Sequence, residues 1–286
     1  MENHHHVTNE LLNRPNRLYD GYIFDLDGTL LLGDALLPGA HRLIEGLLTL
    51  ERRVIYVTNN PTKRPPDVVA RLIRDGIPAA PEAVINTITT TIHWLQTHEP
   101  NATIFPIAEL PVIDALQAAN LRISEIPEEI DIILASYDRT FDYRKLQIAF
   151  DAVHLHGRAR LMSTNPDRYC PMPGGRGEPD AAAIVGAVEG CTGIRLERHF
   201  GKPDVVMLET AMDRMGLDAA DCLMVGDRLT TDIQMAINAG MSSALPLTGE
   251  TTSAMLRAID AEHRPTFVLD RVDHIVPEDV WDQLGF

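Results

Sequence analysis

The stretch Tyr22-Ile23-Phe24-Asp25-Leu26-Asp27-Gly28-Thr29-Leu30 decides how the chain is read. Tyr22 to Leu26 is apolar and aromatic around Asp25, follows Asp20-Gly21 and runs into Asp27-Gly28, which predicts a buried strand ending in a turn. In a parallel sheet the carboxyl edge of such a strand is where ligands bind. Side chains alternate along a strand, so Asp25 and Asp27 share a direction if the extension persists that far. Two carboxylates so close repel unless a cation lies between them or one is protonated. The ordinary alternative is a turn at Asp27-Gly28 and a solvated strand end at Asp25. Against it, D-x-D-G-T arises by chance in a chain this long only about once in several hundred.

Outward from that stretch, Pro38 opens a helical pattern with Leu43, Ile44, Leu47 and Leu48 on one face. Val54 to Thr58 is a second apolar run, stopped by Asn59-Asn60-Pro61, and Pro65-Pro66-Asp67 starts another helix closed by Gly76. Strand, helix, strand, helix is the pattern of a parallel sheet with right-handed crossovers. The C-terminal third repeats it: a helix from Pro203 to Met215, a strand from Cys222 to Val225, a helix from Thr230 to Ala239 and a strand from Ser243 to Leu247. A helix around Thr252 to Ala261 and a strand from Thr266 to Leu269 follow. Both ends therefore form one sheet, and the expected class is α/β, a doubly wound parallel-sheet core.

The middle carries its own strand and helix candidates: Thr103–Ile107, Glu109–Ala119, Ile130–Ser136, Tyr143–Leu155, Arg160–Thr164 and Ala181–Glu189. A segment of about 110 residues supports its own core, so it reads as an inserted, smaller α/β domain. The expected organisation is a tail over 1–16, core over 17–85, insertion over 86–196 and core again over 197–286. Arg168 to Pro179 is rich in Pro and Gly.

Composition bounds the function. Of 286 residues, 45% are hydrophobic and 23% charged, the balance of a globular protein. The net charge of −16 repels polyanions at long range and argues against nucleic acid as a partner. It does not exclude a small phosphate ester, because charge beyond about 10 Å is screened at ordinary salt. Three cysteines without a C-x-x-C pair fit reduced thiols. The start Met-Glu-Asn-His-His-His has no signal-peptide pattern, and the longest uncharged apolar run, Ala181 to Val188, is too short to span a bilayer. A cytoplasmic protein with no membrane partner is expected, and His4, His5 and His6 read as a solvated tail.

Three further motifs stand at strand ends or helix starts. Gly226-Asp227 follows a buried strand, with Asp232 five residues beyond Asp227. Alone, Asp232 reads as a first-turn acid that complements a helix dipole. Beside Asp227, Asp25 and Asp27 it becomes one of four carboxylates that are costly unless they gather around a hard cation such as Mg²⁺. Thr58-Asn59-Asn60 alone reads as a turn cap, and Lys202 in Gly201-Lys202-Pro203 as a loop lysine.

In this order the motifs resemble the haloacid dehalogenase-like (HAD) hydrolase superfamily, and the chain is similar to its NagD-like, subfamily IIA phosphatases. Motif one matches at Asp25 and Asp27, motif two at Thr58, motif three at Lys202 and motif four at Asp227 and Asp232. Thr58 and Lys202 stand 144 residues apart, where that subfamily carries its C2-type cap, and Thr164-Asn165-Pro166-Asp167 is similar to a cap segment.

The resemblance implies a phosphoric monoester hydrolase. Asp25 is then the nucleophile, forming an aspartyl-phosphate. Asp27 protonates the leaving alkoxide and later deprotonates the hydrolytic water. Thr58 and Lys202 bind the transferring phosphoryl oxygens. Mg²⁺ is held by Asp25, the main-chain carbonyl of Asp27, Asp227 and Asp232, the last directly or through water. Backbone N–H groups from Leu26 to Gly28 add phosphate donors, and Asn59 an extra contact.

Asn165, Asp167, Arg168, Tyr169 and Arg176 are the candidates for reaching the leaving group, with ordinary loop chemistry as the alternative for all five. A roofed site suits a small phosphorylated metabolite, such as a sugar phosphate or nucleoside monophosphate. C2 caps in the family can mediate homodimers. A dehalogenase has no need of the second acid, Asp27. Phosphotransferase or phosphomutase chemistry and a non-catalytic regulator that binds phosphometabolites are the alternatives.

Overall fold

The computed structural model describes residues 9–33, 35–172 and 176–285; His4, His5 and His6 lie outside them. The chain divides into two compact units, one comprising Met1–Val57, Val68–Val84 and Leu208–Phe286, the other Thr58–Asp67 and Ile85–Met207.

The first unit is built on a six-stranded sheet in the order Phe267–Leu269, Ser242–Pro246, Cys222–Val225, Gly21–Asp25, Arg53–Thr58, Val84–Asn86. Gly21–Asp25 pairs in parallel on both sides, Phe24 opposite Val225 and Tyr56, and Asp25 opposite Val57. All five of its residues are buried, which is why Tyr22 to Phe24 reads as continuously apolar rather than alternating. Here strands from the two ends of the chain meet, the switch point at which α/β sheets open a crevice for ligands. Gly21 gives neighbouring side chains room at the strand start, since a Cβ would lie 2.8 Å from Cys222 Sγ and from Leu217 Cδ1.

Helices cover both faces. Tyr22, Phe24, Leu223 and Val225 pack with Leu43, Ile44 and Leu47 of the Ala40–Thr49 helix, while Leu245 and Val268 pack with Ile233 and Leu256.

The second unit holds a five-stranded parallel sheet in the order Leu196–His199, Arg160–Ser163, Ile132–Ala135, Thr103–Ile107, Arg122–Ile123. Side chains of its inner strands alternate between the two faces. Ile104, Ile132 and Leu134 face Leu95, Val112 and Leu116, and Phe105, Ile133 and Leu161 face Ile148, Ala152, Ile184 and Val188. A parallel sheet coated by helices on both faces explains why the middle of the chain reads as a domain in its own right. The Leu196–His199 strand runs across the boundary expected between 196 and 197.

Several elements differ from their expected extents, each for a local reason. The helix expected from Pro203 starts at Val206, because Asp204 Oδ1 accepts the Val206 N–H at 3.0 Å and ends the preceding turn. The helix expected at Thr230 to Ala239 opens with a π-helical turn, Leu229–Ile233, before the α-helix Gln234–Asn238. The helix around Thr252 is shorter, Ser253–Ala258, capped by the Thr252 hydroxyl accepting from Met255 N–H.

The Pro/Gly-rich stretch forms an antiparallel hairpin, Tyr169–Met172 with Arg176–Pro179. Among the elements that went unread are the edge strands Val84–Asn86 and Leu196–His199 and the helices Thr87–His98 and Glu278–Leu284. Among the described residues no helix is long and apolar enough to cross a membrane.

Candidate active site

In the first unit the extended backbone stops at Asp25 and the chain folds into a tight turn. The Leu26 carbonyl accepts from the N–H groups of Leu30 at 3.0 Å and Leu31 at 2.9 Å, and Gly28 adopts a φ of 93°. The turn separates the two acids. Asp25 is buried, with the Thr29 hydroxyl 3.4 Å from its Oδ2, whereas the Asp27 side chain is 62% exposed with Arg71 Nη2 at 3.5 Å. The Gly28 N–H, expected among the phosphate donors, instead donates to the Leu31 carbonyl at 2.6 Å.

Asp25 is gathered with the fourth motif. Carboxylate oxygens of Asp25, Asp227 and Asp232, all three residues buried, lie within 4.8 Å of one another. Two of them are aimed by backbone: Asp227 Oδ2 accepts the Glu250 N–H at 2.6 Å and Asp232 Oδ2 the Arg228 N–H at 3.1 Å. The π-helical turn carries Asp232 back toward Arg228, whose carbonyl accepts the N–H groups of both Asp232 and Ile233 at 3.1 Å. Such turns recur at functional sites.

Glycines make the space. A Cβ at Gly28 would lie 2.5 Å from Asp227 Oδ2, one at Gly249 would collide with the same carboxylate, and one at Gly226 with Asp232.

Three buried carboxylates this close are unstable by themselves, and an all-oxygen hard donor set is what Mg²⁺ takes. The donor set therefore fits the metal. Arg228 records the local field. Burial pulls its pKa down, yet Glu250, Asp227, Asp25 and Asp232 outweigh that and hold it above its ordinary value.

Sequence inspection missed this arginine, as well as Thr29 and the Thr248-Gly249-Glu250 loop, where Thr248 Oγ1 donates to the Gly28 carbonyl at 2.7 Å. The loop follows the Ser242–Pro246 strand, so the strand-end rule that singled out Asp25 and Asp227 would have found it.

The other expected residues lie in the second unit. Thr58 is buried, and its hydroxyl accepts the Asn60 N–H at 3.2 Å while keeping its own hydrogen to donate. The Asn59 amide pairs with the backbone of Lys202: Oδ1 accepts its N–H at 2.8 Å and Nδ2 donates to its carbonyl at 3.2 Å. Lys202 is buried and followed by a cis peptide bond to Pro203.

Asn59 Nδ2 also donates to Asp167 Oδ2 at 3.0 Å. Asn165 is buried, with Nδ2 donating to Asp167 Oδ2 at 2.9 Å and to Asp180 Oδ1 at 3.1 Å, and Oδ1 accepting from Thr164 Oγ1 at 2.8 Å. Its amide is thus engaged inside the unit, not offered to a leaving group. Asp180 caps the Ala181–Thr192 helix, and its carboxyl is pushed up to about 6 by burial and, less, by Asp167, against hydrogen bonds from Ala181 N–H and Asn165. Arg168, Tyr169 and Arg176 are exposed, the last two on opposite strands of the hairpin.

Known proteins resemble this arrangement over nearly its whole length. Residues 22–122 match the family model described as haloacid dehalogenase-like hydrolase, and residues 199–275 one described as HAD-hydrolase-like. An acid sugar phosphatase from Staphylococcus haemolyticus is 35% identical over 249 residues, 87% of this chain and 92% of that protein. The crystal structure of a 4-nitrophenylphosphatase from Thermotoga maritima superposes with a TM-score of 0.82 at 30% identity, covering 90% of this chain and 96% of the other. NagD from E. coli shares the fold, with a TM-score of 0.81 at 22% identity over 91% of this chain and 99% of its own. The chain belongs to the haloacid dehalogenase-like hydrolase superfamily, in its NagD-like branch of phosphoric monoester hydrolases.

Proposed function

We propose that the protein is a Mg²⁺-dependent phosphatase that hydrolyses a small phosphate monoester through an aspartyl-phosphate on Asp25. The observation that carries this is the buried trio Asp25, Asp227 and Asp232, with carboxylate oxygens within 4.8 Å at the carboxyl edge of a parallel sheet. Their carboxylates, with the Asp27 main-chain carbonyl, would hold the ion. Its chemistry there is to neutralise crowded negative charge and polarise phosphoryl oxygens.

The steps belong to the chain's own residues. A carboxylate oxygen of Asp25 attacks phosphorus in line, the bond from phosphorus to the ester oxygen breaks, and Asp27 passes its proton to the departing alkoxide. Asp27, now a base, takes a proton from water, whose oxygen attacks the same phosphorus. The bond to Asp25 breaks and inorganic phosphate leaves. The exposure of Asp27 supports this role, since an acid that must meet both alcohol and water cannot be sealed in.

Thr58 and Lys202 take the transferring oxygens. Motif order supports that assignment, and so does Asn59, the residue after Thr58, which holds the Lys202 backbone. The insertion over residues 86–196 is the cap in this assignment, and the exposed Arg168, Tyr169 and Arg176 offer it charge and an aromatic face for the leaving group. The name of the staphylococcal relative favours a sugar phosphate as substrate.

The test is a screen of small phosphate esters with Mg²⁺, comparing kcat/KM. Several esters should turn over, and Asp25→Asn should lower kcat by about 10⁴-fold or more while the fold persists. A folded Asp25→Asn enzyme with near wild-type activity would remove the covalent mechanism. Tight ester binding by the wild type without any hydrolysis would favour the regulator.

A further inference from the structure

We propose that Asp167 is a positioning residue for the phosphoryl-binding Lys202: it fixes the amide of Asn59, and Asn59 in turn fixes the Lys202 backbone. The inference deepens the proposed function and rests on its assignment of Lys202 to the phosphoryl group.

Asn59 meets both backbone polar groups of Lys202, N–H at 2.8 Å and carbonyl at 3.2 Å, a two-point contact that only one orientation of its amide allows. Asp167 Oδ2 locks that orientation. A carboxylate only accepts, so the Asn59 NH₂ must face it, at 3.0 Å, and Oδ1 must face Lys202. The same oxygen accepts from Asn165 at 2.9 Å, and Asn165 continues to Asp180 at 3.1 Å, at the N-terminus of the Ala181–Thr192 helix.

The backbone next to Lys202 shows how tight this is. A Cβ at Gly201 would lie 2.7 Å from Asn59 Oδ1 and 3.1 Å from Asn165 Cβ, so the residue before Lys202 is pressed against both asparagines. A helix end thus anchors a chain of side chains that terminates at the lysine backbone. Holding such a lysine before substrate arrives lowers the ordering cost of catalysis.

Positioning and leaving-group contact make different predictions. If Asp167 acts through Lys202, its loss weakens grip on the phosphoryl group, which every ester shares. Asp167→Ala should lower kcat/KM by about tenfold to a hundredfold, by the same factor across esters with unlike leaving groups, and weaken competitive inhibition by inorganic phosphate in parallel. Asp167→Asn keeps a carbonyl oxygen where both amides point and should stay within about threefold of wild type.

Wild-type behaviour of Asp167→Ala overturns the proposal. So does an effect that depends on the leaving group while phosphate inhibition is unmoved, because Asp167 would then touch the leaving group itself. Lys202→Met separates the two levels. If it retains wild-type phosphate inhibition, the assignment of Lys202 falls. If it loses phosphate and Asp167→Ala does not, only the positioning role falls.

Should Asp167→Ala fail to fold, Asn59→Asp decides. It sets two carboxylates face to face, and adding Asp167→Asn should recover phosphate inhibition at least about threefold. No recovery overturns the proposal.

Discussion

Carboxylates crowd together in both units, and each unit handles the repulsion differently. In the first, oxygens of Asp25, Asp227 and Asp232 come within 4.8 Å of one another, a charge density that calls for a cation from outside the chain. In the second, Asp167 and Asp180 share Asn165, whose Nδ2 donates to both at 2.9 and 3.1 Å, and burial raises the Asp180 carboxyl toward its protonated form. A fixed amide gives permanent geometry. A cation site gives chemistry, at the cost of a site that is self-repelling until filled.

The comparison breaks most visibly at the metal. Exhaustive chelation should abolish turnover and added Mg²⁺ restore it; full activity after chelation would contradict the metal assignment. Mg²⁺ at 100 times its Kd should raise wild-type stability by about 2.7 kcal/mol, read as a rise in Tm. Asp227→Asn should lose that rise and most of the activity, yet unfold at a higher temperature than wild type in chelator, because one like charge is gone. Asp167→Ala should keep the Mg²⁺ shift intact.

A smaller effect sharpens the same contrast. Gly249→Ala adds a methyl that collides with Asp227, so the Mg²⁺ concentration for half-maximal activity should rise about tenfold. An unchanged titration would mean the loop yields freely.

A further contrast concerns pH. Asp180 has an ordinary value of 3.8 and is raised to about 6 in the native state, so the native state binds the proton more tightly than the unfolded chain. Its contribution to stability is present below the lower value and is lost as pH rises through the upper one. Between pH 4 and 6 the wild type should lose about 1–3 kcal/mol relative to Asp180→Asn. Parallel stability curves for the two proteins across that window would show the carboxyl to be unperturbed.

Periodicity and punctuation made most of the fold legible. Runs buried on both faces, such as Tyr22 to Phe24 and Cys222 to Val225, need no partner to be recognised as interior strands. What escaped depends on tertiary partners. Thr87–His98 is rich in β-branched threonines and forms a helix because Asn86 caps it and Ile88 and Leu95 find a core. The hairpin after Arg168 was hidden by its prolines and glycines.

At the site, residue identities were legible and their division of labour was not. Asp25 and Asp27 are two residues apart, yet one turn buries the first and exposes the second. Asn59 and Asn165 look like ligand contacts in the sequence, whereas their amides serve neighbouring side chains and backbone. No spacing rule reveals which way an amide faces.

The pairing of Gly21 with Cys222 also bears on how the protein is made. Synthesis must proceed 201 residues past Gly21 before its inner neighbour exists, roughly 10 to 40 s at typical translation rates. The strands of the second sheet, from Thr103 to His199, all emerge earlier, so that unit can close around its core on the ribosome. Through that interval the Gly21–Asp25 strand has only Arg53–Thr58 beside it, and its other edge offers unpaired backbone along the apolar run Tyr22 to Phe24. The arrangement that brings Asp25, Asp227 and Asp232 together last therefore leaves the nascent chain with an adhesive strand, a natural client for a chaperone acting during translation.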